Sequence, residues 1–117
     1  MLTDAPLTFE FRQGNSAETL IYALTGPLTL RNMFDLQAAL RRNKVTRLTI
    51  LDLSGVPYMD SAGMGLVMNQ YVHCQTNGGR LVLVGTNNRV MELFRITKID
   101  GVVALAASVA EAESQAH

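Results

Sequence analysis

The sequence predicts an α/β fold: one domain with a mixed, mostly parallel sheet of about five strands, about four helices and an opening β-hairpin. Two observations lead to this prediction. Apolar runs at 48–53 and 81–84 each precede a stretch with helical spacing, so strand–helix–strand repeats at 48–84 and 81–105 require parallel pairing with right-handed crossovers. In addition, two alternating segments joined by a short turn open the chain, which adds an antiparallel element.

The opening hairpin is predicted from two alternating segments. Residues 7–12 have the pattern of a half-buried strand, and residues 19–25 form the second strand across a turn at Gly14-Asn15. The apolar side chains that share one face are Leu7, Phe9 and Phe11 in the first strand and Leu20, Tyr22 and Leu24 in the second.

The first helix is predicted after Gly26-Pro27, which ends the second strand. Thr29 is a candidate N-cap, and the helix should continue to about Arg42. Its expected core stripe consists of Leu30, Met33, Phe34 and Leu40.

The central strand and the longest helix come next. Residues 48–53 are apolar almost throughout, as expected for a strand covered on both faces. The helix is expected from Ser61 to about Thr76, where Asn77-Gly78-Gly79 stops it. Its apolar stripe, at spacings of three and four, is Met64, Val67, Met68, Tyr71 and Cys74.

The last elements are a buried strand, two helices and a short strand. Residues 81–84 form the buried strand, and Asn87 or Asn88 should cap a helix that carries Val90, Met91, Leu93 and Phe94. A short strand is expected at 102–105. The sequence Ser108-Val109-Ala110-Glu111 has the form of a capping box and should open the last helix.

Composition excludes several classes of function. Ten basic and ten acidic residues cancel, so no net field attracts nucleic acid or an anionic membrane. No apolar run approaches the roughly 20 residues that span a bilayer, and the N-terminus lacks the basic and apolar regions of a signal peptide. The single cysteine, Cys74, has no partner for a disulfide within the chain. We therefore expect a cytoplasmic protein without direct DNA or membrane binding.

Ser61 is the residue most typical of a functional site. It lies where the strand gives way to the helix, and the N–H groups of a helix's first turn favour negative charge. The glycines at 63 and 65 are expected to leave the surface around it bare. Serine is also a common N-cap, so Asp60-Ser61 can equally serve only to start the helix.

A hydrolase is not expected. The nucleophile elbow requires glycine two residues before the serine, where this chain has Met59. His73 lies twelve residues along the same helix, roughly 18 Å away, and a general base must lie within about 3 Å. His117 is the last residue. No catalytic residue is therefore assigned.

No metal or cofactor is expected either. One cysteine and two separated histidines have no metal-ligand spacing, and the glycine-rich phosphate and dinucleotide motifs are absent. Cys74, Met64, Met68 and Met91 are expected to fill the core.

The stretch Val56-Pro57-Tyr58-Met59-Asp60-Ser61-Ala62-Gly63-Met64-Gly65, behind an Ile-Leu-Asp-Leu strand, resembles the signature of STAS domains. The family pattern is Asp-Ser-(Ser/Ala/Thr)-Gly-(apolar)-Gly at the start of a helix. The resemblance extends to Gly26-Pro27-Leu28, to residues 79–85 and to the apolar-x-x-Leu-Phe pattern at 90–94. It implies one STAS domain over 1–117, with a core at about 7–116.

The family includes the bacterial anti-sigma factor antagonists, and this resemblance implies a non-enzymatic switch. In such proteins the serine that matches Ser61 is phosphorylated by the anti-sigma factor, a serine kinase of the histidine-kinase ATPase fold. Phosphorylation ends the complex, and a PP2C-type phosphatase restores it. The implied role is regulation of sigma-factor-dependent transcription by a monomer or weak dimer.

The resemblance also implies which residues contact the partner. Many antagonists have an aspartate at the position of Thr29, near the phosphorylated serine. The lack of that carboxylate favours an alternative: a STAS interaction or scaffold module, in a stress-signalling complex or associated with a transporter, without phosphoswitching. A small hydrolase or nucleotide-binding enzyme is the third hypothesis. The expected contact residues are Thr29, Tyr58, Met59, Asp60, Ser61, Ala62, Gly63, Met64 and Gly65.

Overall fold

A computed structural model of the chain describes residues 5–115. Its elements follow one another in the predicted order, with one short 3-10 helix added before the last strand. They are β1 Thr8–Gln13, β2 Thr19–Thr25, α1 Phe34–Arg42, β3 Leu48–Gly55, α2 Ser61–Thr76, β4 Arg80–Val84, α3 Asn88–Thr97, the 3-10 helix Ile99–Gly101, β5 Ala104–Ala106 and α4 Val109–Gln115.

The five strands form one mixed sheet in the order β1-β2-β3-β4-β5. β1 and β2 are antiparallel, whereas β2 to β5 are parallel neighbours. β3 occupies the centre, with Leu51 paired to Tyr22 of β2 and to Leu83 of β4. The predicted α/β class, the opening hairpin and the central strand are confirmed.

Helices cover both faces of the sheet. The strands are parallel and in chain order, so right-handed crossovers place α1, α2 and α3 on the same face. The main core lies between these helices and the sheet, and its buried side chains include Tyr22, Leu51, Leu83, Val67 and Phe94. A smaller cluster involves α4 and consists of Ile21, Leu48, Ile50, Val82, Val84 and Ala112.

The start of α1 differs from the prediction. The helix begins at Phe34 rather than after an N-cap at Thr29, because Asn32 Oδ1 accepts a hydrogen bond from Thr29 N at 2.8 Å and holds residues 29–32 in a turn. Leu30 and Phe34 are consequently 55% and 57% exposed, so their assignment to the core is wrong. Met33 and Leu40 are buried as predicted, together with Leu36 and Ala39.

The bounds predicted for α2 are confirmed, but its buried face is rotated from the predicted stripe. Met64, Met68 and Tyr71 are only half-buried and pack along the edge of the main core. The face that points inward includes a glycine and a glutamine, which give no apolar signal. The buried residues of α2 are Gly63, Leu66, Val67, Gln70 and Cys74.

Two predicted helix caps are confirmed. Asn87 Oδ1 accepts a hydrogen bond from Val90 N at 2.8 Å, and Ser108 Oγ accepts one from Glu111 N at 3.2 Å.

β5 is shorter than expected and begins later than the predicted range of 102–105, because the 3-10 helix leaves Val102 in an exposed turn. Within residues 5–115, no helix combines the length and apolar character needed to cross a membrane.

Candidate functional site

Ser61 is the first residue of α2 and is exposed. It follows β3, so it lies at the carboxyl end of the central strand. In open sheets of parallel strands this edge is where sites form, because the loops that leave the strands meet there. The structure therefore puts the candidate serine at the favoured edge of the fold.

Asp60 is the N-cap of α2, which leaves Ser61 out of that role. Its backbone is extended, with φ −104°, and its Oδ1 accepts a hydrogen bond from Gly63 N at 3.0 Å. Its Oδ2 accepts a second from Leu30 N at 3.1 Å. Both carboxylate oxygens are thus bound to backbone N–H groups. The interpretation of Ser61 as a cap is wrong, because its neighbour performs that function.

The first turn of α2 retains unused donors. Asp60 N donates to Leu28 O at 3.3 Å, and Met64 N makes the first helical bond, to Asp60 O at 3.0 Å. Among residues 5–115, the N–H groups of Ser61 and Ala62 and the Ser61 hydroxyl make no hydrogen bond. Unpaired N–H groups at a helix start attract an anion. A phosphate on Ser61 Oγ would lie beside two such donors.

The loop before Ser61 is held from both sides. Leu28 and Met59 form a parallel bridge, in which Leu28 N donates to Tyr58 O at 3.1 Å. From the other side, Asn87 Nδ2 donates to Pro57 O at 3.0 Å. Asn87 thus caps α3 and anchors the loop of α2 at once. These contacts fix the position of Ser61 before any partner binds.

Tyr58 contributes an aromatic surface next to this loop. The guanidinium carbon of Arg89, on α3, lies 5.0 Å from the centroid of the Tyr58 ring. This distance is typical of a cation–π contact. The contact places a positive charge at the edge of the candidate surface.

The two glycines of the motif have different surroundings. A Cβ built on Gly63 would lie 2.3 Å from the carbonyl oxygen of Leu28, so only glycine fits where α2 approaches this backbone. A Cβ on Gly65 would meet nothing within 4 Å. The expectation that both glycines leave a bare surface is therefore correct for Gly65 and wrong for Gly63, which is buried.

The predicted contact residues fall into three groups by exposure. Ser61 and Gly65 are exposed, whereas Tyr58, Asp60, Ala62 and Met64 are half-buried. Thr29, Met59 and Gly63 are buried. The backbone of Leu28 lies against Gly63 on its buried side. The Thr29 hydroxyl donates a hydrogen bond to Asn32 Oδ1. Its neighbours Leu28 and Leu30 make the contacts with the site, through Met59 and Asp60 respectively.

Two functional candidates were missed from the sequence. Leu30 is tied to Asp60 through its N–H, and Phe34 opens α1 four residues later. Both are large, apolar and exposed. Asn32 was the available signal, because an asparagine side chain that binds nearby backbone favours a turn over a helix.

The chemistry available near Ser61 is limited. His73, the only histidine within residues 5–115, is exposed and lies twelve residues along α2, while His117 falls outside the described residues. No group of three His, Cys, Asp or Glu side chains in the described part of the chain could hold a metal ion. Burial raises the pKa of the Cys74 thiol, so Cys74 stays protonated within the core.

Comparison with known protein families identifies the family of this chain. The family model described as the STAS domain matches residues 9–112 of the chain. A relative from Listeria monocytogenes, named anti-sigma-B factor antagonist, is 34% identical over 53 residues. That alignment covers 45% of this chain and 46% of the relative, so it spans about half the length of each.

Solved structures share the fold. An anti-sigma factor antagonist from Mycobacterium paratuberculosis superposes with a TM-score of 0.84 at 16% identity, covering 97% of this chain and 98% of the other. The phosphorylated form of the Bacillus cell fate determinant SpoIIAA gives a TM-score of 0.73 at 19% identity, covering 94% and 100%. At these identities the likeness concerns the fold alone.

Proposed function

Because the chain belongs to the STAS domain family, we propose that it is an anti-sigma factor antagonist whose Ser61 is a phosphorylation switch. The unphosphorylated protein binds an anti-sigma factor and so frees a sigma factor for transcription. The name of the Listeria monocytogenes relative supports this role. A protein with this function acts in the cytoplasm and is not an enzyme.

One observation carries the proposal: the hydroxyl of Ser61 is exposed on a helix start that Asp60 already caps. Within residues 5–115 no hydrogen bond depends on this hydroxyl, so a kinase can modify it without unfolding the domain. Phosphorylation adds about −1.5 to −2 charges, and a helix N-terminus stabilises added negative charge. The N–H groups of Ser61 and Ala62 are the available donors.

The same phosphate ends the complex by changing the surface. The half-buried Asp60 carboxylate already lies next to Ser61. A second anionic group beside it must be desolvated when a partner covers this surface, and like charges brought together cost several kcal/mol. This cost corresponds to a loss of affinity on the order of a hundredfold or more.

The surface that the partner covers combines small and apolar groups. Gly65 allows another backbone to approach, and Met64 lies half-exposed beside it. Leu30 and Phe34 add exposed apolar side chains on the neighbouring segment. A few buried side chains at the centre of an interface supply most of its binding energy, and aromatic residues and methionine are enriched there.

The partners in this proposal are those that the resemblance to STAS antagonists implies. The anti-sigma factor is itself the serine kinase, of the histidine-kinase ATPase fold. It transfers the γ-phosphoryl group of ATP to Ser61 Oγ, with release of ADP and a proton. A PP2C-type phosphatase hydrolyses the phosphoserine and restores the binding form.

The test uses the cognate anti-sigma kinase with ATP, followed by intact-protein mass measurement. We expect one added phosphate, none in Ser61→Ala, and normal transfer in the control Ser114→Ala, which changes an exposed serine on α4. Ser61→Asp should bind the anti-sigma factor poorly, whereas Ser114→Asp should bind normally. Undiminished binding by Ser61→Asp would contradict the switch.

The alternative is a STAS interaction or scaffold module without phosphoswitching. It is favoured by Thr29, whose buried hydroxyl bonds to Asn32 and supplies no carboxylate. In that case a partner still binds the surface around Ser61, but no phosphate is incorporated, and Ser61→Asp and the unmodified protein bind equally.

A further inference from the structure

β1 has an edge that no other described strand covers. It pairs with β2 on one side only and stands at the end of the strand order. Gly14 N donates to Thr19 O of β2, and backbone groups alternate in direction along an antiparallel strand. The N–H and C=O groups of Phe9, Phe11 and Gln13 therefore point away from β2.

Most of the usual protections of an edge strand are missing from β1. Proteins blunt such edges with proline, charged side chains (lysine above all), bulges or very short strands. Of these, β1 has only charged side chains, one acid and one base. β1 has six residues, lacks proline and lysine, and pairs with β2 in continuous register. Phe11 is 54% exposed even though its ring stacks on Tyr22, with centroids 5.7 Å apart. This edge presents backbone donors and acceptors together with an apolar side chain.

Glu10 and Arg12 lie on the opposite face of β1 from Phe11. Both side chains are exposed, and neither side chain makes a hydrogen bond or ion pair within the described residues. Their cross-strand neighbours on β2 are Ala23 and Ile21, which offer no compensating charge. Residues 5–115 therefore leave the side chains of an acid and a base, two residues apart, unpaired on this edge.

A second copy of the chain fits this pattern in one register. Consider an antiparallel pair of β1 strands with its two-fold axis at Phe11. The outward backbone groups of the two strands then form hydrogen bonds with each other. Glu10 of each subunit lies opposite Arg12 of the partner subunit, so the dimer contains two such charge pairs. These are non-hydrogen-bonded pairs, in which side chains lie closest. A shift of two residues either way puts Glu10 opposite its own copy, or Arg12 opposite its own copy, and like charges there are unfavourable.

We propose that two copies of this protein associate through their β1 edges and form one continuous ten-stranded sheet. The dimer pairs the exposed faces of the two Phe11 rings and matches four charges around the axis. β2 separates β1 from β3, so Ser61 of each subunit stays open. This proposal is independent of the function proposed for Ser61.

Charge exchange tests the register. Sedimentation velocity of the full chain over a range of concentrations should show a reversible dimer. Glu10→Arg and Arg12→Glu should each raise the dimer dissociation constant on the order of tenfold or more, because two attractive pairs become repulsive. The double exchange should restore it. An equimolar mixture of the two single variants should form a heterodimer, since all four charges are then matched.

Lys44→Glu is the matched control, because it changes the net charge as Arg12→Glu does at an exposed position after α1. It should dimerise like the unaltered protein, and circular dichroism should show that all variants are folded. A protein that stays monomeric at every concentration overturns the proposal. A dimer indifferent to both single exchanges also overturns it.

Discussion

The inner and outer sides of the first two turns of α2 use the same residue type for opposite purposes. On the inner side, Gly63 allows the helix to touch the Leu28 carbonyl, where a Cβ would lie at 2.3 Å. On the outer side, Gly65 faces open space and adjoins the exposed Ser61. One glycine thus secures the position of the site, and the other keeps its surface accessible. A motif with two glycines therefore combines close packing on one side of the helix with an open surface on the other.

Among substitutions in this region, Gly63→Ala is expected to change the stability of the fold most. The added methyl group collides with backbone, which cannot move aside as a flexible side chain can. We expect the free energy of unfolding to fall by about 2–3 kcal/mol. Urea denaturation measures this change. A loss below about 0.5 kcal/mol, the size of an ordinary surface substitution, would show that the contact with Leu28 is not close.

The second-largest effect on stability is expected at Asp60, whose carboxylate binds both the first turn of α2 and the neighbouring segment at Leu30. Asp60→Ala removes the acceptors for both Gly63 N and Leu30 N and should cost about 1–2 kcal/mol of stability. Asp60→Asn keeps one side-chain oxygen and should lose roughly half as much. Urea denaturation of both variants tests this order. Equal losses would mean that the bond to Leu30, and not the cap, stabilises the loop.

Gly65→Ala should have the opposite sign. Its added methyl group meets nothing, and alanine is a better helix former than glycine, so stability should rise by about 0.5–1 kcal/mol. Thermal unfolding measures the gain, and the same variant should bind the anti-sigma factor more weakly because its surface is no longer bare. Destabilisation as large as that of Gly63→Ala would remove the distinction between the two sides.

The smallest effect on the fold is expected from Ser61→Ala. The hydroxyl makes no hydrogen bond within the described residues, so stability should change by less than about 0.5 kcal/mol. Urea denaturation beside Asp60→Ala provides the comparison. A loss above about 1 kcal/mol, the usual value of a helix cap, would show that Ser61 shares the capping role.

Sequence patterns predicted the fold well where hydrophobic periodicity and capping signals agree. The bounds of α2, the caps at Asn87 and Ser108, and the central place of β3 are of this kind. The start of α1 was missed because the Asn32 turn competes with a Thr29 cap, and the periodicity does not distinguish them.

The candidate site was predicted in position but not in its internal contacts. The motif located Ser61 at a helix start. It did not reveal that Asp60 binds Leu30, because residues 30 positions apart meet only through the order of the strands. For the same reason, the clash that requires glycine at 63 is a property of the packed backbone of Leu28.

The central claim is that a phosphate on Ser61 leaves the fold intact and ends a protein complex. Isothermal titration calorimetry of the anti-sigma factor with unphosphorylated and fully phosphorylated protein tests it directly, with circular dichroism on both forms. We expect identical spectra and an affinity lower by on the order of a hundredfold after phosphorylation. Equal affinities of the two folded forms would contradict the account.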